Sequence, residues 1–335
     1  MEKTLGKIVN NNPFISIILI NYNQENFLDS SIKSALNQTY KNFELIIIDN
    51  GSFDNSKNII KNFLKDKRII FLNYDKNKKV TIRLNRAISI AKGEFVNFLM
   101  GDDMLHKKKI LNQIKIFQKI PKCYGVVYGP SIMLNTLTNK KYFVDVVKIN
   151  GDALTKQLEF NLKFGHINFN SALIRKECLI KYPMLEDIFI ETESFFLSLA
   201  IDYKFWYDSK VVCFFREHKN NIGKKIIDNL NGHLKRINEL RNLNFKKKIC
   251  RDSLIQSYAR DIIINIIWYN IRTNGPKEIN KKLLKKVFKN YQNIFLKIKI
   301  YVIIIINFMP AIFVRIINRI LYKFKKEKYN NVRID

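Results

Sequence analysis

Acidic residues are scarce in this chain. Its 335 residues include 29 Asp and Glu against 59 Lys and Arg, a formal net charge of +30. That balance favours anionic partners: nucleic acid, acidic lipid headgroups or phosphorylated ligands. Cysteine is scarce too. Cys123, Cys178, Cys213 and Cys250 lie far apart and make no C-x-x-C pair. This argues against a zinc site or a disulfide framework and fits a reducing compartment. Neither a G-x-G-x-x-G fingerprint nor a P-loop follows the first apolar run, which disfavours a dinucleotide or P-loop NTPase site. Residues 1–13 are a polar tail without the apolar stretch of a signal peptide. No nucleic-acid-binding motif is present. The aromatics sit in apolar runs, not interleaved with Lys and Arg, so nucleic acid is not expected as a partner.

What is present is a core. Hydrophobic residues make up 47% of the chain, which excludes global disorder and allows one large domain with an appendage, or two domains. The stretch Glu94–Met104 organises the reading. Phe95, Val96, Phe98 and Leu99 make a short buried-strand pattern that stops at Gly101, and Asp102 and Asp103 follow. Two carboxylates at the carboxyl end of a buried strand lie on the edge where open α/β sheets bind ligands. Hard oxygen donors held there suit Mg²⁺ or Mn²⁺ bridging to a diphosphate. The same residues also read as a solvated Gly-Asp-Asp turn.

Around this stretch the chain alternates. Phe14–Ile20, Phe43–Ile48 and Ile69–Leu72 read as strands. A helix capped by Asp29 or Ser30 and running to Gln38, one after Asn55, and one over Ile82–Ala91 separate them. This rhythm predicts a mostly parallel α/β sheet flanked by helices. Asp49 and Asp102 then open on one sheet edge. Further on, Lys107–Ile120 reads as a helix, Gly125–Tyr128, Lys140–Val147, Ile167–Ile174 and Val211–Phe215 as strands, and Lys176–Tyr182 and Phe195–Ile201 as helices. An acidic cluster, Glu186, Asp187, Glu191 and Glu193, stands out on so basic a background.

From about Lys224 the composition shifts to basic amphipathic helices. Ile300–Val314 is uncharged, but at 1.5 Å per residue it reaches only about 22 Å, short of a hydrocarbon core of about 30 Å. Arg315–Lys328 sets Lys and Arg opposite an apolar face, the pattern of an interfacial helix. The expected division is a tail over 1–13, a first domain over 14–223, and a basic, membrane-associating helical region over 224–335.

Four blocks in order resemble the family 2 glycosyltransferases, inverting enzymes with a GT-A fold. They are Ile15–Leu28 with Tyr22-Asn23-Gln24-Glu25; Asn37-Gln38-Thr39-Tyr40 through Asp49-Asn50-Gly51-Ser52-Phe53-Asp54; Ala91-Lys92-Gly93-Glu94-Phe95 through Gly101-Asp102-Asp103; and Ile190-Glu191 through Arg216-x-His218. The resemblance covers about Ile15–Ile222. It implies that Tyr22, Asn23 and Glu25 line the nucleoside, that Asp49 meets the base with Asn50 beside it, and that Asn85 lies near the nucleotide. It implies a divalent metal, Mg²⁺ or Mn²⁺, at the diphosphate, held by Asp102 with Asp103 beside it. His218 completes that shell and Arg216 supports it. It further implies a nucleotide-sugar donor, a UDP-sugar first, and a lipid-linked or saccharide acceptor. The setting would be cell-surface polysaccharide synthesis on the inner, anionic face of the cell membrane.

Three positions depart from the family pattern. Asn50 replaces the second Asp of an Asp-Asp pair. Met100-Gly101-Asp102 stands where the family carries Asp-x-Asp. Glu191-Thr192 replaces the Glu-Asp pair whose Asp is the general base. Threonine is no base near neutral pH, so Glu191 or Glu193 becomes the candidate. A nucleotide-binding protein of the same fold that carries out no transfer is the first alternative reading, and a basic nucleic-acid-binding protein, motivated by the net charge alone, is the second.

Overall fold

The computed structural model describes residues 12–158, 167–187, 193–218, 221, 235, 263, 267 and 277–290. The chain divides into two compact units. One comprises Met1–Gln157 with Asn161–Asn221, the other Leu158–Phe160 with Ile222–Asp335.

The first unit opens with β1 (Ile15–Asn21), α1 (Glu25–Leu36), β2 (Phe43–Asn50), α2 (Ser56–Lys61), β3 (Ile69–Tyr74), α3 (Val80–Ile90) and β4 (Phe95–Met100). It continues with β5 (Met104–Leu105), α4 (Lys109–Phe117), β6 (Tyr124–Tyr128), β7 (Ser131–Asn135), β8 (Lys140–Val144) and α5 (Leu154–Leu158). A 3₁₀ turn over Phe169–Ser171 precedes β9 (Leu173–Arg175), α6 (Lys176–Lys181), α7 (Glu193–Leu199), β10 (Lys204–Tyr207) and β11 (Cys213–Glu217).

Seven strands form the main sheet in the order β10-β6-β9-β4-β1-β2-β3. β4, β1, β2 and β3 run parallel, and only β9 is antiparallel to its neighbours. Every residue of β1 and β2 is buried, as expected of strands covered on both faces. Their side chains alternate between two layers. Ile18, Ile20, Ile46, Ile48 and Phe98 pack with Leu84, Ala87 and Ile88 of α3. Ile17, Leu19, Leu45, Ile47 and Leu99 pack with Leu28 and Ile32 of α1 and Ile110 and Ile114 of α4. Each such buried aliphatic side chain contributes about 1.5–3 kcal/mol. Strand order reverses between β1 and β4, and α1 and α3 therefore lie on opposite faces. This is the topological switch point at which open α/β sheets hold ligands.

Three local expectations are corrected. α1 begins at Glu25, not after Asp29 or Ser30, because its start is capped from a distance. The Glu25 amide donates to Asp54 Oδ2 at 3.0 Å, and the Asn55 amide donates back to Glu25 Oε2 at 2.8 Å. Ile167–Ile174 is not one strand. Asn168 accepts from the Asn170 amide at 2.8 Å and from the Ser171 hydroxyl at 2.6 Å, which tightens the chain into the 3₁₀ turn. β7 and β10 lie in stretches to which the sequence pattern gave no strand.

β11, β7, β8 and β5 form a second, four-stranded sheet in the order β5-β11-β7-β8. Its importance is positional. β5 follows directly on Gly101-Asp102-Asp103, so its antiparallel partner β11 is brought back to that turn. Elsewhere, the helix over Lys277–Asn290 buries Leu283 and Leu284. Ile300–Val314 and Arg315–Lys328 lie outside the described residues. Among the described residues no helix is long and apolar enough to cross a membrane.

Candidate active site

Buried polar residues are costly unless they are hydrogen-bonded, and here they gather at the carboxyl ends of β1, β2 and β4. Asn21, Asp49, Asn50, Ser52, Asp103, Asn170 and His218 are all buried.

The β1 and β2 ends form one braced wall. Asn21 and Asp49 are register partners. Asn21 Nδ2 donates to Asp49 Oδ2 at 3.0 Å and to the Ser52 hydroxyl at 3.1 Å. The Ser52 amide closes the turn onto Asp49 Oδ1 at 2.8 Å. Asn23 adopts φ of 53°, a left-handed conformation that Asn tolerates, and its Oδ1 accepts from the Phe53 amide at 3.0 Å. Tyr22 meets Phe53 edge-on with ring centroids 6.2 Å apart, and Phe53 is 84% exposed. Tyr22, Asn23 and Asp49 therefore lie together in this wall. Glu25 belongs to the same wall, with Oε2 occupied by the start of α2.

Asn50 has a use that a carboxylate lacks. Its Nδ2 donates to Asn77 Oδ1 at 2.9 Å and to the Lys78 carbonyl at 2.8 Å, while Oδ1 accepts from the Lys78 amide and from Arg83 Nε. The departure from Asp thus binds the loop after β3 to the β2 turn. Gly51 lies beneath that loop at φ of +82°, and a Cβ there would sit 2.6 Å from the Asn77 nitrogen.

On the other side of the switch point, Asp102 and Asp103 point in different directions. Asp102 Oδ2 lies 3.0 Å from His218 Nε2, and its side chain keeps 15% of its exposure. Asp103 faces inward. Oδ1 accepts from the Arg216 amide at 2.8 Å, and Oδ2 makes a short bond with Asn170 Nδ2. Burial, then the neighbouring Asp102 charge, pushes the Asp103 carboxyl well above the ordinary range, against the pull of these two hydrogen bonds. Through these two bonds Asp103 anchors β11 and the 3₁₀ turn to the end of β4.

Arg216 is likewise turned into the wall. Its guanidinium donates to the Asp102 carbonyl at 2.7 Å and to the Ser30 hydroxyl at 2.7 Å. Phe27 packs against Arg216 of β11 and His218 just beyond it, 5.2 Å from the guanidinium and 4.9 Å from the imidazole ring. Asn221 ties the strand end back, donating to the Arg216 carbonyl at 2.9 Å and accepting from the His218 amide at 2.5 Å. Phe27, Ser30, Asn170 and Asn221 were not read from the sequence as site residues. Only the sequence interval between Asp102 and His218, closed by folding, makes them neighbours.

Among the described residues no three His, Cys, Asp or Glu side chains converge on one point. The donor set that does exist, one carboxylate oxygen and one imidazole nitrogen, fits a divalent ion whose other ligands come from phosphate and water.

Of the acidic cluster, Glu186, Asp187 and Glu193 fall within the described residues. Asn85 reaches it through Met184 and Glu186. Glu193 opens α7, and Glu191 lies outside the described residues.

The fold is shared with solved glycosyltransferases. Staphylococcus aureus TarS residues 1–349 in complex with UDP-GlcNAc superimposes with a TM-score of 0.60 at 13% identity, covering 80% of this chain and 83% of that one. The mannosyltransferase PcManGT of Pyrobaculum calidifontis, in complex with GDP-Man and Mn²⁺, does so with a TM-score of 0.57 at 13% identity, covering 79% and 75%. In sequence, the Escherichia coli protein WfaP, a UDP-Glc:α-D-GlcNAc-diphosphoundecaprenol β-1,3-glucosyltransferase, is 41% identical over 104 residues, 31% of this chain and 41% of WfaP. Other curated relatives match over 105 to 132 residues, 20% to 42% of their own length. Residues 16–182 match the model for glycosyl transferase family 2, and the chain belongs to that family, with the GT-A fold.

Proposed function

We propose that this protein transfers a sugar, with inversion, from a nucleotide-sugar to an acceptor hydroxyl. The Asp102–His218 pair at the carboxyl end of β4 carries the reading. It faces the same sheet edge as the Tyr22–Asn23–Asp49 wall, so a nucleoside on that wall sets its diphosphate toward the pair. Asp102 and His218 would hold Mg²⁺ or Mn²⁺, which supplies charge stabilisation for the departing diphosphate. Arg216 fixes the Asp102 backbone and β11 for that purpose. Glu191, with Glu193 as its alternate, takes the acceptor proton.

The donor is a UDP-sugar and the acceptor a lipid-linked or saccharide hydroxyl in polysaccharide assembly. WfaP, named for a UDP-Glc donor and a diphosphoundecaprenol-linked acceptor, supports this choice. Residues 14–223 form the catalytic domain. The basic region 224–335 docks it on the inner face of the cell membrane through anionic headgroups. Thr192 favours one other reading, nucleotide binding without transfer.

The test is a panel of UDP-glucose, UDP-N-acetylglucosamine, UDP-galactose and GDP-mannose, each offered with a diphosphoundecaprenol-linked GlcNAc acceptor in Mn²⁺ or EDTA, followed by nucleoside diphosphate release. Metal-dependent release from one donor is expected. Binding without release from any selects the second reading, and neither binding nor release overturns both.

A further inference from the structure

Helix α3 is held on two sides. On one, Arg83 Nε donates to Asn50 Oδ1 and its terminal nitrogen to the Lys76 carbonyl, each at 2.9 Å. This fixes α3 to the wall at the end of β2. Two positions along a helix turn the side chain by roughly 200°, so Asn85 leaves α3 on the other side. There its Oδ1 accepts from the Met184 amide at 3.1 Å, and its Nδ2 donates to the Met184 carbonyl at 2.9 Å and to Glu186 Oε1 at 2.9 Å. The side-chain amide copies a peptide group and pairs with one residue's backbone in both directions, as a neighbouring strand does. Lys79, just before α3, adds a bond from Nζ to the Asp187 carbonyl at 2.7 Å.

The family resemblance implies that Asn85 lies near the nucleotide. Its amide goes to the acidic segment and not to the nucleoside wall. We propose that Asn85 is a positioning residue: it clamps Met184–Asp187 to α3 and fixes the Glu186 carboxylate, so that the acid-bearing segment is held in register with the donor wall. The proposal rests on the transfer reading above. Only Asn suits the position. Aspartate keeps the acceptor for the Met184 amide, loses both donors, and sets a like charge against Glu186.

The experiment compares wild type, Asn85→Asp, Glu186→Gln, their double variant and Asn85→Ala. UDP release from UDP-glucose and UDP-N-acetylglucosamine in the presence of the same lipid-linked acceptor gives kcat, calorimetry gives UDP affinity, and hydrogen exchange follows the Met184 amide. Displacing a reacting group by about 1 Å costs up to about 10²-fold. Asn85→Asp should therefore lower kcat by about 10–100-fold while UDP affinity changes less than about twofold. Asn85→Ala, which removes the acceptor as well, should let the Met184 amide exchange faster. The double variant should be no slower than the slower single one, because Asn85 acts through Glu186. UDP affinity falling in step with kcat, additive losses, or unchanged Met184 exchange would each overturn the proposal. A wild type that releases no UDP defeats the transfer reading for these donors, and exchange then decides the clamp. Faster exchange in Asn85→Ala with unaltered UDP affinity supports it, and unchanged exchange overturns it.

Discussion

His218 Nε2 lies 3.0 Å from Asp102 Oδ2, although 116 positions separate the two residues in the chain. The second sheet closes that interval. β5 continues from the Gly-Asp-Asp turn, and β11 pairs with it at Met104–Phe214 and Leu105–Cys213. Asp103 then fastens β11 from below through the Arg216 amide. Four expectations concern this site and the unit that carries it, and one more the basic region beyond it.

Lys109 lies beneath the same sheet, fully buried, with Nζ donating to Gln113 Oε1 at 2.6 Å. Burial brings its pKa down to about 7, against the opposing pull of the Cys213 and Asp208 side chains. The folded state therefore binds fewer protons than the unfolded state between about pH 7 and the ordinary lysine value, and folding gains stability as pH rises through that window. Lys109→Met removes this dependence. Its stability relative to wild type, measured by urea unfolding, should be most favourable below pH 7. It should shrink by at most about 1.4 kcal/mol per pH unit above it. A difference that stays flat from pH 7 to 10 would contradict the assignment.

Gly51 is placed where no side chain fits. Its φ is +82°, and a Cβ would meet the backbone of Lys76 and Asn77. Gly51→Ala should lower stability by more than about 1 kcal/mol and weaken UDP binding, because the loop held by Asn50 must move. Unchanged unfolding and UDP titration would show that the loop does not depend on this approach.

How much of this was legible in the sequence depends on the range of each interaction. The parallel core was legible because β1, β2 and β4 are self-contained apolar runs that end in polar residues. Asp49 and Asp102 could be placed on one edge for that reason alone. The inward turn of Asp103 was not legible, since it depends on Asn170 and Arg216, which arrive from a distant 3₁₀ turn and a distant strand. The start of α1 was misread for the same reason: its cap, Asp54, belongs to another loop. Asn50 reads as a lost carboxylate in sequence, and only its bonds to Asn77 and Lys78 show the gain of a donor.

The general base is the next expectation. Glu191→Gln should lower turnover by about 10²–10⁴-fold, the usual worth of a positioned base, with UDP affinity unchanged. If Glu193→Gln alone has that effect, the role moves by two residues. If neither does, the reading of nucleotide binding without transfer gains.

Membrane docking is a matter of flotation. The full chain should rise with vesicles containing anionic lipid at low salt and be released by high salt, since each well-placed basic residue adds about 1 kcal/mol. Deleting residues 300–335 should leave the protein in the unbound fraction. Full-length protein that never floats would refute the docking role of the basic region.

The most direct test of the site is UDP binding, measured by calorimetry in Mn²⁺ and in EDTA, for wild type and Asp102→Ala. Wild type should bind UDP in Mn²⁺ and lose at least about tenfold in affinity, about 1.4 kcal/mol, when the metal is chelated. Asp102→Ala should show that weaker affinity in both conditions while unfolding at a temperature close to wild type. Equal affinity with and without metal, or an Asp102→Ala protein that binds UDP as wild type does in Mn²⁺, would contradict the assignment of Asp102 and His218 to the diphosphate.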